Sequence, residues 1–372
     1  VGSGEPRIDF SNDAKGALKL EPERTNLLPY SEDFSQSAWT KSNSTITSNS
    51  VISPDGTLNA STLTDNTANG IHRLRDSVSF SASTDYSLSV FAKKGTLSNI
   101  QLALIGTSTS STSSRVFDLE NGVLGESLTN QTLSNSKITD YGNGWFKCEI
   151  TAQFASTPNT YQITLAPQSS GNSTTANQVT YDGDGNGNVY LWGAQLEQAS
   201  YATSYIPTQG SAVTRIADSS SQTPPSGIIG QTEGTMFFEI DFANISGVSG
   251  AWSISNGSSA NRITMNTTTS SSTEFILSVA QNYNSGSTKL ASTNVTYSDN
   301  HKVAIKYSAT TLKLFVDGQL ADSVATDGFG NYTNFYLGGN HSGVYGGDTR
   351  KFIQADLYNT ALTDAELIAL TK

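Results

Sequence analysis

The stretch Asn188-Val-Tyr-Leu-Trp-Gly-Ala-Gln-Leu-Glu197 decides the reading of the fold. Its side chains alternate. Tyr190, Trp192, Ala194 and Leu196 fall on one side of an extended chain, and Val189, Leu191, Gln195 and Glu197 fall on the other. The segment continues through Tyr201-Ala-Thr-Ser-Tyr-Ile-Pro-Thr208. Pro207 has no N–H to give to a ladder, so regular pairing is expected to stop near it. From Thr208 to Gly234 the residues are those of a linker, with Gly210, Pro224, Pro225, Gly227 and a run of serines. Strand patterning starts afresh at Thr235. The stretch therefore reads as the closing strand of one β domain and the tether to a second.

Working outward, the same period of two recurs on both sides. Before the stretch it is carried by Tyr86, Leu88 and Val90, then Ile100, Leu102 and Leu104, then Phe146, Cys148 and Ile150, then Tyr161, Ile163 and Leu165. After the stretch it is carried by Met236, Phe238, Ile240 and Phe242, by Ile263 and Met265, by Phe275, Leu277 and Val279, and by Leu312, Leu314 and Val316. Asp317-Gly318 is a tight-hairpin signal. A sustained helical period occurs once, at the C-terminal end, where Thr363 and Glu366 form a capping box ahead of Leu367 and Leu370.

A chain of 372 residues is too long for one ordinary sandwich and suits two. Only 14% of residues are charged, and the net charge is -11. That balance argues against a nucleic-acid partner, because phosphates are bound by clustered Lys and Arg. No apolar run approaches the ~18 residues of a membrane span. A single cysteine, Cys148, excludes an intrachain disulfide, and its alternation with Phe146 and Ile150 marks it as a buried apolar residue.

Three groups of residues carry a resemblance. They are PRIDF (Pro6 to Phe10) with LKLEPERTNLLPYSEDF (Leu18 to Phe34), GNGWFKC (Gly142 to Cys148), and WGAQLE followed by TSYIPT and VTRIAD (ending at Asp218). Together they resemble a recurring module of bacteriophage tail and fibre proteins. Ser31 to Trp39 resembles the opening loop of a jelly-roll carbohydrate-binding module. Further on, TLKLFVDGQLADS (Thr311 to Ser323), FYLGG and LYNTALTDAEL (Leu357 to Leu367) resemble a concanavalin-like or laminin-G-like jelly roll. The expected fold class is all-β, with two β-sandwich (jelly-roll) domains and one short C-terminal helix. Residues 1–30 are expected as an extended N-terminal arm, with a short strand at Gly16-Ala-Leu-Lys-Leu20. Residues 31–207 would form the first sandwich, 208–234 the linker, and 235–372 the concanavalin-like domain.

The resemblance implies a virion protein, part of a longer polypeptide in a tail fibre or appendage, that binds host cell-surface carbohydrate for attachment. Its expected partners are a bacterial surface polysaccharide or other glycan, other virion proteins and further copies of itself as a homo-oligomer. Neither nucleic acid nor membrane insertion is expected. Two alternatives stand beside it. One is the accessory carbohydrate-binding region of a secreted polysaccharide-degrading enzyme, and the other is a structural or decoration module without a ligand.

Sugar sites combine aromatic faces, which pack on pyranose rings, with amides and hydroxyls. In the first domain the candidates are Trp145, Tyr141 and Trp39, with Tyr161 and Tyr181 behind them. Trp145 leads because it points away from Phe146, Cys148 and Ile150. In the second domain the glycine-rich loop offers Asn340, His341, Tyr345 and Asp348, with Trp252 and Tyr283 at the same end. For metal, Asp182, Asp184 and Asn186 alternate in a glycine-rich loop, as oxygen ligands for structural calcium would. Gly193 stands where an EF-hand loop needs its bidentate Glu. The resemblance to jelly-roll sugar-binding modules implies Glu32, Asp33 and Glu197 as further calcium candidates.

Catalysis is not expected. Concanavalin-like folds include glucanases with an E-x-D-x-x-E strand, and Glu239-Ile-Asp241-Phe-Ala-Asn244 lacks the final carboxylate. Retaining hydrolysis needs two carboxyl groups about 5 Å apart. His72, His301 and His341 show neither metal-ligand spacing nor a nucleophile beside them.

Overall fold

The computed structural model describes residues 6–10, 14–78, 81, 83–106, 112–127, 133–153, 158–166, 173–175, 178–218, 220–244, 248–271, 273–282, 289–297, 300–326, 328, 330–339 and 349–372. The chain is all-β, with one helix among these residues, and forms two β-sandwiches. It divides into two compact units. An inserted unit is Arg24–Arg215, and a split unit combines Val1–Glu23 with Ile216–Lys372.

In the inserted unit one six-stranded sheet runs Val123–Ser127, Thr112–Asp118, Asn99–Gly106, Pro158–Ala166, Arg73–Asp76, Thr40–Ser42 from edge to edge. The other runs Leu133–Asp140, Trp145–Gln153, Asp85–Lys94, Asn188–Glu197, Ala60–Asp65, Ser44–Val51. The apolar residues of alternate positions meet between them. Leu88, Val90, Ile100, Leu102, Leu104, Phe117, Cys148, Ile150, Ile163 and Leu165 are all fully buried in one core. Burial also raises the Cys148 thiol well above its ordinary range, which leaves it an inert packing residue.

The closing strand departs from simple alternation. Its register with Asp85–Lys94 shifts between Trp192 and Gln195, where Gly193 adopts φ +61°. A bulge adds one residue and reverses the parity of the strand. Val189 and Leu191 therefore share the core with Ala194 and Leu196, while Trp192 joins a second layer with Ala60, Phe91 and Trp145. The single face expected for Tyr190, Trp192, Ala194 and Leu196 is replaced by this split.

In the split unit a seven-stranded sheet runs Ile8–Asp9, Ala17–Leu20, Thr349–Tyr358, Gly234–Asn244, His301–Tyr307, Thr311–Val316, Gln319–Ala325. It packs on a six-stranded sheet of Ser220–Gln222, Asn334–Leu337, Val248–Ser255, Arg262–Thr269, Glu274–Asn282 and Lys289–Thr296. Met236, Phe238, Ile240 and Phe242 all enter this core, with Phe238 stacked on Trp252 at 5.0 Å. The hairpin at Asp317 and Gly318 has φ of +48° and +80°, as the dipeptide predicts. The helix Asp364–Leu370 carries the expected capping box, Thr363 accepting from the Glu366 N–H and Glu366 accepting from the Thr363 N–H.

The first residues are not a free arm. Ala17–Leu20 pairs with Thr349–Tyr358, and Leu20 is buried in the split unit's core. Nor is 208–234 without structure. Val213–Arg215 pairs with Arg24–Asn26, and Ser220–Gln222 pairs with Asn334–Leu337. Pairing at sheet edges in strands of two to four residues leaves too short a pattern for periodicity to register. In the split unit, Arg7 bridges Glu21 and Asp218, the latter at 2.9 Å, and Lys19 holds Glu21 at 2.8 Å. These residues come from PRIDF, LKLEPER and VTRIAD, so the motifs meet in one ion-pair network near the points where the chain leaves this unit and returns to it.

Candidate functional site

Burial separates the aromatic candidates. Trp145 does point away from the main core, but that face is covered. It is 2% exposed, lies in the second layer with Phe91 and Trp192, and its Nε1 donates to the Ile52 carbonyl at 3.1 Å. Trp39 is also buried, packed between Phe34 and Tyr161, with Nε1 donating to the Tyr30 carbonyl. Trp252 sits fully buried in the other unit's core. None of the three can meet a sugar, which corrects their assignment. Tyr161 is buried too and donates to Asp76, while Tyr181 donates to Asp65. Tyr141 alone among these aromatics stays open, 52% exposed and edge-on to Phe91 at 4.8 Å. Asn340, His341, Tyr345, Asp348 and Tyr283 lie outside the described residues.

The structure brings together a different set. Across the sheet of the inserted unit, registered partners share a face. One row reads Val116, Gln101, Thr164, Arg73, Ser42, and the next reads Ser114, Ala103, Gln162, Arg75, Thr40. Their neighbours Ile100, Leu102, Ile163 and Leu74 fill the core, so these rows form the sheet's outer face. On one side the face is roofed. Val179 packs on Val116, and its N–H donates to Gln101 Oε1 at 3.3 Å. At the other side Arg75 is exposed and Arg73 half-buried.

Hydrogen bonding on this face is incomplete. Gln101 donates to Ser114 Oγ at 3.0 Å, and Arg73 donates to Gln162 Oε1 at 3.0 Å. Gln162 Nε2 and Thr164 Oγ1, both on fully buried residues, have no partner among the described residues. A buried polar group left unpaired costs about 1–3 kcal/mol. Burial, and then the like charge of Arg75, lowers the Arg73 guanidinium to about 10. No sequence motif marks these residues, which come from five strands. The available signal was that most alternate positions in these strands, Val116 and Ala103 excepted, are an amide, hydroxyl or arginine.

Several of the calcium candidates accept hydrogen bonds from the protein itself. Asp184 Oδ1 accepts from the N–H groups of Asn186 and Gly187 at 2.8 and 3.2 Å. The buried Asp65 carboxylate closes the same loop, accepting from the Gly187 N–H and the Tyr181 hydroxyl. Asp182 lies in the short pairing of Tyr181–Asp182 with Asn69–Gly70. Glu197 is buried and takes the N–H and hydroxyl of Thr203, Glu32 takes Tyr205 and Asn59, and Asp33 takes Ser35 and Gln36. No group of three His, Cys, Asp or Glu able to hold an ion occurs among the described residues.

Two further features bear on chemistry. Asp241 is buried near Lys351, 3.8 Å away, and Glu239 is half-buried. His72 contacts the Asn43 and Tyr181 carbonyl oxygens, and His301 contacts Asp317 Oδ2 and the Thr296 carbonyl, so both are held as packing residues. In the split unit a cleft of about 640 Å³ is lined by Gln222, Pro224, Pro225, Ile228, Phe335, Asp356 and Tyr358 among others.

No protein-family model and no curated protein matches the chain. Among solved structures it is similar to the CBM40 of Ruminococcus gnavus IT-sialidase bound to α2,3-sialyllactose, with TM-score 0.32 and 18% identity over 38% of this chain and 84% of that one. It is similar to the leech intramolecular trans-sialidase complexed with 2,7-anhydro-Neu5Ac, with TM-score 0.34 and 18% identity over 41% and 26% of the two chains. A native heptameric SAP-like pentraxin from Limulus polyphemus gives TM-score 0.31 and 12% identity over 38% and 70%. Likeness at this level assigns no function.

Proposed function

We propose that the chain is a non-catalytic, glycan-binding part of a phage virion appendage, and that the exposed margin of the inserted unit's outer sheet face, at Arg75 and Thr40, receives the sugar. The observation that carries this reading is the exposed Arg75, which makes no side-chain hydrogen bond or ion pair among the described residues and is registered with the exposed Thr40. Sugar hydroxyls both donate and accept, so they complement the Arg75 guanidinium, which only donates, and the Thr40 hydroxyl, which does both. The virion assignment is supported by the PRIDF, LKLEPER and VTRIAD residues and their resemblance to phage tail modules. The absence of a final carboxylate in Glu239-Ile-Asp241-Phe-Ala-Asn244 supports a binding role rather than hydrolysis.

Single sugar sites bind weakly, because hydroxyl bonds to water are exchanged for similar bonds to protein. Several linked copies gain on the order of 10²–10⁴-fold by avidity. The test is binding of an artificially multimerised chain to purified surface polysaccharides from a panel of bacteria. The multimer should bind at least one of them, and Arg75→Gln, which removes the guanidinium from an exposed position, should weaken that binding without lowering the melting temperature. A multimer that ignores every polysaccharide, or a variant that binds like the parent, would refute the proposal.

A further inference from the structure

We propose that the cleft of the split unit docks an extended strand of a partner protein, one that carries two alternate apolar side chains with a lysine or arginine between them. This site shares no residue with the glycan site, whose residues belong to the inserted unit. Four successive residues, Ala355 to Tyr358, line the cleft. Successive side chains of a strand point to opposite faces, so the cleft runs along the edge of this strand and not over one face of its sheet. On its far side the strand Thr349–Tyr358 pairs with Gly234–Asn244 as far as Tyr358. On the cleft side Ala17–Leu20 pairs with it only from Arg350 to Phe352. Beyond Phe352 that edge has no backbone partner among the described residues. In an antiparallel ladder alternate residues turn their N–H and C=O groups away from the paired neighbour, and those groups here face the cleft. An open edge of this kind templates another strand, and main-chain hydrogen bonds then supply the affinity.

The side chains define what that strand carries. Ala355 and Leu357 are registered with Phe238 and Met236, which fill the core, so both lie on the inner face. Yet Ala355 is exposed, and Leu357 and Phe335 are only half-buried, so the core is open along this margin. Residues directly opposite each other in a sheet share a face. Two apolar side chains set against Ala355 and Leu357 would therefore close the core over Phe335. The residue between them points outward with Asp356, which is registered with the outer-face Phe237. Asp356 is the one charged residue among those lining the cleft. Its carboxylate accepts from the Gln354 amide at 2.6 Å and makes no ion pair among the described residues. A lysine or arginine at the middle position would pair with it. Pro224 and Pro225 line the cleft as well, and having no N–H they do not compete for the acceptors of the open edge.

The experiment titrates the full chain with a set of heptapeptides. Each has Val, Leu, Ile or Phe at two alternate positions, Lys between them and Thr elsewhere, and binding is read by calorimetry and by hydrogen exchange. At least one peptide should bind and protect the amides of Ile353 to Tyr358. Methylating one alternate set of its backbone nitrogens should weaken binding about tenfold or more, and methylating the other set should weaken it less, because only one set faces the open edge. Asp356→Lys should reverse the charge preference, so that the same peptide with Glu in place of Lys binds more tightly than the parent peptide. Asp356→Asn, the milder change, should abolish the distinction between the two peptides, and melting temperatures report whether each variant keeps its fold. If no peptide of the set protects Ile353 to Tyr358, the inference is overturned. Binding that tolerates methylation of either set would overturn strand addition, and a charge preference unchanged in both Asp356 variants would overturn the basic partner. Protection of this edge that rises with protein concentration, without peptide, would assign the cleft to a second copy of the chain and overturn the choice of occupant.

Discussion

Trp145 buries its indole among Ala60, Phe91 and Trp192, so truncation removes contacts on every side and leaves the Ile52 carbonyl without its donor. Trp145→Ala should therefore destabilise the inserted unit by about 3–5 kcal/mol, measured by chemical denaturation. A loss under about 1 kcal/mol would mean that the indole is not packed as described. Any fall in sugar binding by this variant would follow from unfolding, so it does not probe a site. Strict alternation placed Trp145 on the face opposite Phe146 and Cys148, and it does lie there. What alternation cannot report is whether the opposite face is itself covered. The residues now assigned to binding were hard to see for a related reason. Thr40 and Arg75 lie in separate strands and become neighbours only through strand order.

Among the elements, the closing strand depends on a single backbone conformation. Gly193 sits at φ +61°, and a Cβ there would meet Phe91 Cδ2 at 3.0 Å and Tyr205 Cε2 at 3.3 Å. Gly193→Ala should cost about 1–2 kcal/mol from the left-handed backbone alone, with crowding added to it. Equal melting of variant and parent would show that the bulge is not needed. The same residue explains a misreading: Trp-Gly-Ala looks like an unbroken period of two, but the bulge reverses it. By contrast, Met236 to Phe242 and Thr363 to Leu370 were legible in the sequence, because each is a long or capped pattern with little competition from tertiary contacts. The loop 182–187 is closed by Asp65 and Asp184 on its own N–H groups. Calorimetric melting should thus be the same in calcium and in chelator. A folded-state ion at about 100 times its dissociation constant would add about 2.7 kcal/mol, and a shift of that size would contradict this closed arrangement of the loop.

At the scale of the whole molecule, the chain leaves the split unit after Glu23 and returns to it at Ile216, with the inserted unit between. That arrangement was not legible in the sequence, because Ala17–Leu20 pairs with Thr349–Tyr358, near the opposite end of the chain. The linker composition of 208–234 pointed to a boundary but not to the two short strands inside it. The central claim concerns the inserted unit's outer sheet face, and hydrogen exchange with and without a bound surface polysaccharide tests it most directly. The account predicts that added protection concentrates in Thr40–Ser42 and Arg73–Asp76. Protection confined to the split unit or to the segment around Tyr141, with these two strands unchanged, would contradict it.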